Sequence, residues 1–538
     1  MTLTDYPYPS GRRVIMGQRC AMATSQPLAT MAGAEMIWAG GNAVDAALAM
    51  AIALTVVEPT SNGIGSDAFA MVWDGQLHGL NASGRSPQGL ARAAFGDLAT
   101  VPPCDWRAVT VPGAVSGWRS LWQRWGKLPF EQLFEPAIRY AEQGFPVSPE
   151  TARAWQRAER VFLPLQGKEF EPFKRVFFAG DSRGDRFANR APKAGEIWRS
   201  EGHARTLRAI AQSGGEAFYT GELAQKITRF AASTGGFLTM ADLESHTADW
   251  VAPISTTYRD LTVWELPPNG QGIAALMALN ILEGVDLGRY PRDSADSFHW
   301  QIEAIKLAFA DAYRYVADPH SMEFDPAWLL DKGYAGDRRS LISDTALPLA
   351  KPGIPKGGTV FLVAAEPDLM VSFIQSNYEG FGSGILIPDT GIALHNRGAG
   401  LHAKTRTPQR LCPSKRPFHT IIPGFFDPQR TAARPLRRNG RTHAAPRAMY
   451  RWWVNLTDYG MNPQAALDAP RWRFLRDNLV LLEQAVPPSV VRALGDRHHA
   501  IQLSAEVSQF GKGQIILKQG STLIAASEPR ADGLAIAL

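Results

Sequence analysis

The chain has few cysteines and no long hydrophobic run, and both features narrow the class of protein to which it can belong. Its 538 residues contain only Cys20, Cys104 and Cys412, which are too widely spaced for a metal-ligand pattern or a disulfide framework. The most apolar stretch, residues 46–57, is too short to cross a bilayer and predicts a buried helix. The first thirty residues lack the hydrophobic segment of a signal peptide. We therefore expect a cytoplasmic protein with no membrane partner.

Metal and cofactor signals are also missing, because no group of His, Asp and Glu has the spacing of metal ligands. The formal charge of +5 does suggest a nucleic-acid partner. However, seven arginines and no Asp, Glu or Lys lie between Arg430 and Arg451, and without them the charge is 5 − 7 = −2. Because the positive charge is confined to one segment, we predict no nucleic-acid partner. From the missing ligand spacing we also predict no cofactor.

Hydrophobic periodicity predicts a helix-rich first two-thirds and a strand-rich last third. Residues 28–58 are typical of two helices separated at Gly40 and Gly41, and residues 294–319 of one long amphipathic helix. Residues 359–377 predict two strands around a turn at 366–368, and residues 385–396 are expected to continue as strands. The change from helix to strand falls at Gly357-Gly358-Thr359.

The glycine pair before Thr359 has two interpretations. It is either an ordinary turn or a cleavage site at which the Thr359 hydroxyl attacks the Gly358 carbonyl. In the second case an ester forms and is hydrolysed, which leaves Thr359 with a free α-amine. With an unperturbed pKa of about 7.7 to 8.0, that amine can act as general base for its own hydroxyl.

Several motifs resemble the γ-glutamyltransferase family of N-terminal-nucleophile hydrolases. They are GGNAVDAALAMAIALTVVEPTSNGIG, VPGAVSGW, GGEAFYTG, PPNGQG and, after Thr359, FGSGILIPDTGIALHN. The resemblance implies an α+β fold, a four-layer αββα sandwich, made as a proenzyme and cut before Thr359. It also implies a large chain 1–358 and a small chain 359–538 that form a heterodimer, with a dimer of heterodimers as a further assembly. Ser376 occupies the place of a hydroxyl residue that supports the nucleophile.

The pocket motifs depart from those of γ-glutamyl enzymes. Ser83 stands where that family has a carboxylate-binding arginine, with Arg85 two residues later. Gly400 replaces the carboxylate that pairs with the substrate α-ammonium. An ammonium without such a partner is costly to bind in a closed pocket, so the sequence favours an acid that lacks the α-amino group.

The same comparison supplies the candidate substrate-binding residues, which are Arg85, Tyr378, Arg397, His419 and Thr420. Arginines and neutral donors suit a small anionic amide. The interpretation is therefore an amidohydrolase for such a substrate. The pocket resembles the branch of the family that cleaves oxamate to oxalate and ammonia in purine nitrogen breakdown, and this resemblance implies oxamate as the specific prediction. The alternatives are a γ-glutamyltransferase or glutathione hydrolase, a cephalosporin-type acylase, and an unprocessed relative that only binds ligands.

One segment interrupts the resemblance. Between matching flanks, residues 430–453 are arginine-rich and lack the Gly-Gly pair expected to form the oxyanion hole. Three explanations remain open: a local reading-frame slip in the recorded sequence, a surface insertion with other oxyanion donors, or a basic arm. Loss of one oxyanion donor typically costs about 10²–10³ in kcat, so a genuine segment of this kind predicts impaired turnover.

Overall fold

The structure is a computed structural model that describes residues 11–96, 98, 100–178, 189–348, 358–400, 408–410, 412–428, 442–444 and 449–538. The helices in these ranges are α1 (Pro27–Trp38), α2 (Ala43–Val57), α3 (Ala114–Trp125), α4 (Glu135–Gln143), α5 (Pro149–Phe162), α6 (Glu171–Phe177), α7 (Glu201–Gln212), α8 (Glu216–Tyr219), α9 (Glu222–Thr234), α10 (Met240–Glu244), α11 (Gly272–Glu283), α12 (Ala295–Tyr315), α13 (Lys332–Ser340), α14 (Met449–Thr457), α15 (Pro463–Asp468) and α16 (Pro488–Asp496).

The strands in the same ranges are β1 (Ile15–Gly17), β2 (Ala21–Thr24), β3 (Asp67–Trp73), β4 (Leu77–Ala82), β5 (Phe145–Pro146), β6 (Ile197–Trp198), β7 (Asp249–Val251), β8 (Ile254–Tyr258), β9 (Leu261–Glu265), β10 (Gly358–Ala365), β11 (Met370–Tyr378), β12 (Gly424–Pro428), β13 (Thr442–Ala444), β14 (Trp472–Arg476), β15 (Leu479–Glu483), β16 (Ala500–Ser504), β17 (Gln514–Gln519), β18 (Thr522–Ser527) and β19 (Leu534–Ala537).

The predicted helix pair is present, and so is the predicted strand pair of residues 359–377. Asn42 caps α2, because its side chain accepts from Val44 and Asp45 N–H groups while Asp45 accepts from the Asn42 N–H. This reciprocal arrangement is a capping box, which satisfies orphan donors at the helix start. The chain around Gly40 has φ 91°, a left-handed conformation that glycine adopts without strain.

A seven-stranded sheet, in the order β19-β2-β10-β11-β3-β4-β7, organises the molecule. Every neighbouring pair in it is antiparallel. The strands β10 and β11 lie side by side between β2 and β3, which precede Thr359 in the sequence, so the sheet is built from both sides of that residue. Pairing with β2 covers Leu362–Ala365 only, and the start of β10 therefore projects beyond the end of β2.

The two faces of this sheet bury two different cores. Val360, Leu362 and Ala364 belong to the core shared with α1 to α5 and α7. Phe361, Val363 and Ala365 belong to the core shared with α11, α12 and the smaller sheets. The alternation follows from the two-residue period of a strand. The α+β class predicted from the sequence is confirmed, and the four-layer order stays a prediction.

One predicted element is wrong. Residues 385–396 were expected to form strands, but they form no strand and make only isolated bridges from Leu386 to Ala393 and from Gly65 to Leu394. The stretch turns back on itself, since the Ile387 N–H donates to the Ile392 carbonyl across Pro388 and Gly391. Within the described ranges, no helix combines the length and apolarity needed to cross a bilayer.

Candidate active site

Thr359 lies at the start of β10, where its side chain is half-buried. Its hydroxyl donates to the Ser376 Oγ on the adjacent strand β11 at 3.2 Å. The Ser376 Oγ also accepts from the Tyr378 N–H at 2.8 Å. The sequence prediction that Ser376 reaches the hydroxyl of Thr359 is therefore matched by a contact, while the catalytic roles of both residues stay predictions. Gly358 lies in the same strand and pairs with Tyr378.

A cavity of about 760 Å³ opens beside Thr359. Its lining includes the polar side chains of Thr359 and Thr420 and the apolar side chains of Val161 and Phe162. Three cations, Arg157, Arg473 and Lys512, also line it, together with the carboxylate Glu379. The cavity thus combines a hydroxyl nucleophile candidate with an apolar wall and an excess of basic side chains.

The predicted substrate residues Tyr378, Arg397 and Thr420 form one connected group. The Arg397 guanidinium lies 4.1 Å from the centre of the Tyr378 ring and donates through Nη1 to the Thr420 Oγ1 at 2.9 Å. Tyr378 has φ 77°, which is rare for a residue with a bulky side chain. Because Tyr378 also donates to Ser376, these contacts run continuously from Thr359 to Thr420.

A buried carboxylate behind this group was not found from the sequence. Asp67, fully buried at the start of β3, accepts from His419 Nε2–H at 3.1 Å and from the Gly84 N–H at 3.0 Å. His395 Nε2 lies 3.7 Å from Oδ1 of the same Asp67 carboxylate. A single signal was available in the sequence, because an aspartate that opens an otherwise apolar strand is expected to have a structural or functional partner.

Burial decides the charge states in this group. Burial and the nearby Arg397 charge lower the pKa of His419 to about 3, although the hydrogen bond to Asp67 acts in the opposite direction. Burial also lowers the pKa of His395. Burial alone would raise the pKa of Asp67, but the two imidazoles and Arg397 lower it to about 2. At neutral pH the group therefore contains an ionised Asp67, two neutral imidazoles and a cationic Arg397.

Of the predicted substrate residues, Thr420 lines the Thr359 cavity, whereas Tyr378, Arg397 and His419 belong to the buried group behind it. Arg85 belongs to neither set. Its guanidinium contacts Asp318 at 3.4 Å and the Ser414 carbonyl at 3.3 Å, and 39% of the side chain is exposed. It is not among the residues that line the Thr359 cavity. Ser83 is buried and hydrogen-bonds Asn81 and Asn269. The substrate role of Arg85 stays a prediction that this placement does not support.

The arginine-rich segment is described only in part. Residues 429–441, including Gly440, and residues 445–448 lie outside the described ranges, so the expected oxyanion-hole region cannot be placed. The described remainder fits the fold: β13 pairs with β12. Arg451, in α14, is buried and pairs with Asp293 at 2.6 Å.

One other polar cluster has the composition of a metal site. His299, Glu303 and His499 are buried with their ligand atoms within 4.8 Å of one another. However, Lys306 Nζ donates to the Glu303 Oε1 at 2.8 Å, and both side chains are fully buried. A divalent cation beside a buried ammonium would be strongly disfavoured by like-charge repulsion, so this cluster fits an internal ion pair better than a metal centre.

Comparison with known proteins places the chain in a family. The family model described as Gamma-glutamyltranspeptidase matches residues 29–538. The glutathione hydrolase-like YwrD proenzyme of Bacillus subtilis (strain 168) is 30% identical, covering 97% of this chain and 99% of the relative. The oxamate amidohydrolase proenzyme of Klebsiella pneumoniae is also 30% identical, covering 94% of this chain and 96% of that protein.

Solved structures extend the likeness to the whole fold. The crystal structure of cephalosporin acylase from Bacillus halodurans has a TM-score of 0.91 and 46% identity to this chain, covering 99% of this chain and 98% of that one. The chain therefore belongs to the gamma-glutamyltranspeptidase family, and the two curated relatives named above are hydrolases made as proenzymes.

Proposed function

We propose that this protein is an autoprocessed amidohydrolase whose nucleophile is Thr359. The observation that carries the proposal is the Thr359 hydroxyl, held by Ser376 at the edge of a 760 Å³ cavity. Cleavage between Gly358 and Thr359 would give a large chain 1–358 and a small chain 359–538, assembled as a heterodimer and optionally as a dimer of heterodimers. The new α-amine would then act as the base.

The reaction follows from these groups. The α-amine takes the hydroxyl proton while Thr359 Oγ1 attacks the substrate amide carbon, and collapse of the tetrahedral intermediate breaks the C–N bond. The leaving amine or ammonia departs with that proton, which leaves an ester on Thr359. Water then attacks the ester and gives one proton to the α-amine, which passes it to Thr359 Oγ1 as the acid is released. An interior strand supplies the rigidity that such geometry needs.

The charges around the cavity support an anionic acyl substrate without an α-ammonium group. Arg157, Arg473 and Lys512 line the cavity, and basic side chains attract carboxylates over several ångströms. Asp67 is a poor partner for a substrate ammonium, because it is fully buried and already accepts hydrogen bonds from His419 and Gly84.

The size of the acyl group separates two candidates. Oxamate, the substrate predicted from the sequence, has only six non-hydrogen atoms and would fill a small part of a 760 Å³ cavity. The volume and the apolar wall of Val161 and Phe162 favour a larger acyl group as the second candidate. The 46% identity to a protein described as a cephalosporin acylase points in the same direction.

A two-stage experiment tests the proposal. Intact mass under denaturing conditions should give two chains, the smaller beginning at Thr359. The processed protein is then assayed with oxamate, with glutaryl-p-nitroanilide and with γ-glutamyl-p-nitroanilide, the last two differing only in the α-ammonium group. Preference for the glutaryl compound over the γ-glutamyl compound supports the larger anionic acyl group. Preference for the γ-glutamyl compound would instead favour a glutathione hydrolase, and an uncut, inactive chain would favour a binding protein.

A further inference from the structure

Asp67, His395 and His419 connect three segments that are distant in sequence. Asp67 opens β3, whereas His395 and His419 lie in two loops after β11. In the register of the central sheet, Asp67 is the direct neighbour of Ser376. The buried carboxylate therefore lies on the strand next to the one that carries Ser376, and two separate loops converge on it.

The two imidazoles present the same nitrogen to the carboxylate. His395 Nδ1 accepts from the Arg397 N–H at 3.1 Å, so its proton is on Nε2, which faces Asp67. The His419 Nδ1 faces the Ile421 N–H at 3.5 Å, and its Nε2–H donates to Asp67. A neutral imidazole can donate from only one nitrogen, so Asp67 holds the Nε2–H tautomer of His419 directly. In His395 the Arg397 N–H selects the same tautomer, and Nε2 faces both Asp67 at 3.7 Å and the Thr110 Oγ1 at 3.4 Å.

Each imidazole is adjacent in sequence to one residue of the Arg397–Thr420 pair, of which Thr420 lines the cavity. His395 is two residues before Arg397 and accepts a hydrogen bond from its backbone N–H. His419 immediately precedes Thr420. Arg397 and Thr420 then meet through their 2.9 Å hydrogen bond. Asp67 also supplies negative charge near the buried Arg397 guanidinium, which lowers the cost of keeping that cation out of water.

From these contacts we infer that Asp67 is a positioning residue that acts through His395 and His419 on Thr420, which lines the Thr359 cavity, and on Arg397, which holds Thr420 from behind. Asp67 touches neither the reacting atoms nor the cavity. This inference rests on the proposed function, because the substrate that the cavity receives is the anionic acyl amide. It assigns a role to a residue that the motif comparison did not mark.

Replacement of Asp67 by asparagine makes a specific defect. The asparagine amide NH₂ would face an imidazole N–H, so at least one imidazole must turn or change tautomer and give up its Nδ1 contact. Arg397 and Thr420 then lose their fixed positions, whereas Thr359 and Ser376 keep theirs. Asp67→Asn should raise KM for glutaryl-p-nitroanilide roughly 30-fold, the scale expected when a buried charge pair loses one partner, with kcat changed less than about threefold.

Asp45→Asn is the matched control. Asp45 is also a fully buried carboxylate, and it accepts N–H bonds from Asn42, Lys127 and Leu128. It caps α2 and does not line the cavity. If the loss of any buried carboxylate had the same general effect, KM would rise equally in both variants. Similar KM values for Asp67→Asn and Asp45→Asn, or a fall in kcat at unchanged KM, would overturn the inference.

A second pair of variants guards against misfolding of Asp67→Asn. His419→Gln keeps an N–H donor for Asp67, whereas His419→Leu has none. KM should rise more in the leucine variant than in the glutamine variant, and equal values would contradict the positioning role. In addition, Asp67→Asn and Thr420→Val should combine less than additively, because one acts through the other.

A binding measurement separates this inference from the proposed function. Glutarate is titrated calorimetrically into the wild-type protein and into both aspartate variants. Glutarate binding without turnover would reject the hydrolysis but leave Asp67 to be judged by the same roughly 30-fold ratio of dissociation constants. Equal affinity in wild type and Asp67→Asn would reject the positioning role while turnover stands. Absence of both binding and turnover in the wild type would reject the two together.

Discussion

Thr359 and Ser376 stand on adjacent antiparallel strands, with the hydroxyl of Thr359 donating to that of Ser376 over 3.2 Å. The bond fixes a side chain at the one end of β10 that β2 does not cover. A nucleophile near the start of a strand, and not in its middle, can reach a substrate with its hydroxyl and leaves the preceding peptide bond accessible. In the proposed function, self-cleavage and substrate turnover would therefore depend on the same few atoms.

Thr359→Ala should abolish both reactions, because alanine has no hydroxyl to form an ester. Intact mass should show one uncut chain of 58.8 kDa, and amide hydrolysis should fall to background. Thr359→Ser keeps a hydroxyl and should still be cut. A Thr359→Ala protein that is cut before residue 359 would exclude this residue as the processing nucleophile.

Ser376→Ala should slow processing and lower kcat by up to about tenfold, the effect of losing one neutral hydrogen bond. Ser372→Ala is the control, since Ser372 is a fully buried serine on the same strand and pairs with Val363 and Met71, away from Thr359. The time course of cleavage, followed by mass, compares the two. Equal slowing in both variants would mean that Ser376 supports only the fold.

Arg157 and Arg85 provide a matched pair of surface arginines. Their side chains are 42% and 39% exposed, and each contacts one carboxylate, Glu506 at 3.0 Å and Asp318 at 3.4 Å. Only Arg157 lines the Thr359 cavity. Arg157→Gln should raise KM for glutaryl-p-nitroanilide by up to about fivefold, the scale of an exposed ionic contact, whereas Arg85→Gln should leave it unchanged.

Salt gives the pair a second readout. Because exposed charges are screened at high ionic strength, the KM difference between wild type and Arg157→Gln should shrink in 0.5 M salt. A larger KM in Arg85→Gln than in Arg157→Gln would restore the substrate role predicted for Arg85 and would argue that the loops around Ser414 move when substrate binds.

Buried histidines should make the fold sensitive to acid. Burial lowers the pKa of His203, His419 and His499 to about 3 and that of His246 to about 4, against about 6.5 in an unfolded chain. Above pH 6.5 both states are neutral, and stability does not depend on these groups. As the pH falls below 6.5, only the unfolded chain takes up the protons, so stability declines towards pH 4.

Urea unfolding at pH 7.5 and pH 5 measures this loss, which is at most roughly 2 kcal/mol for each such histidine. His203→Gln should reduce the difference between the two pH values, whereas His320→Gln, at an exposed position, should not. A free energy of unfolding that is equal at both pH values would contradict the assigned charge states.

Local sequence patterns predicted the parts of the site that depend on neighbouring residues. The strand pair that carries Thr359 and Ser376 was predicted from apolar runs around a three-residue turn, and the cap at Asn42 follows from its side chain. The group of Asp67, His395 and His419 could not be predicted in this way. Its contacts depend on the register of β3 against β11 and on two later loops, none of which leaves a periodic signal.

Residues 385–396 failed for a related reason. Their β-branched and apolar side chains are typical of a strand, but Pro388 and Gly391 close a local turn whose hydrogen bonds replace those of a ladder. Arg85 shows the limit of motif alignment, because its guanidinium contacts Asp318 and does not line the cavity.

The interior position of β10 sets how this molecule can be assembled. A single uncut chain brings β2, β10 and β3 together by unimolecular folding. Once cut before Thr359, the same sheet would have to be rebuilt from two separate polypeptides that each lack its central partner. Refolding of denatured, processed protein should therefore be second order and prone to aggregation, so the lifetime of the mature form would be governed by how slowly it unfolds.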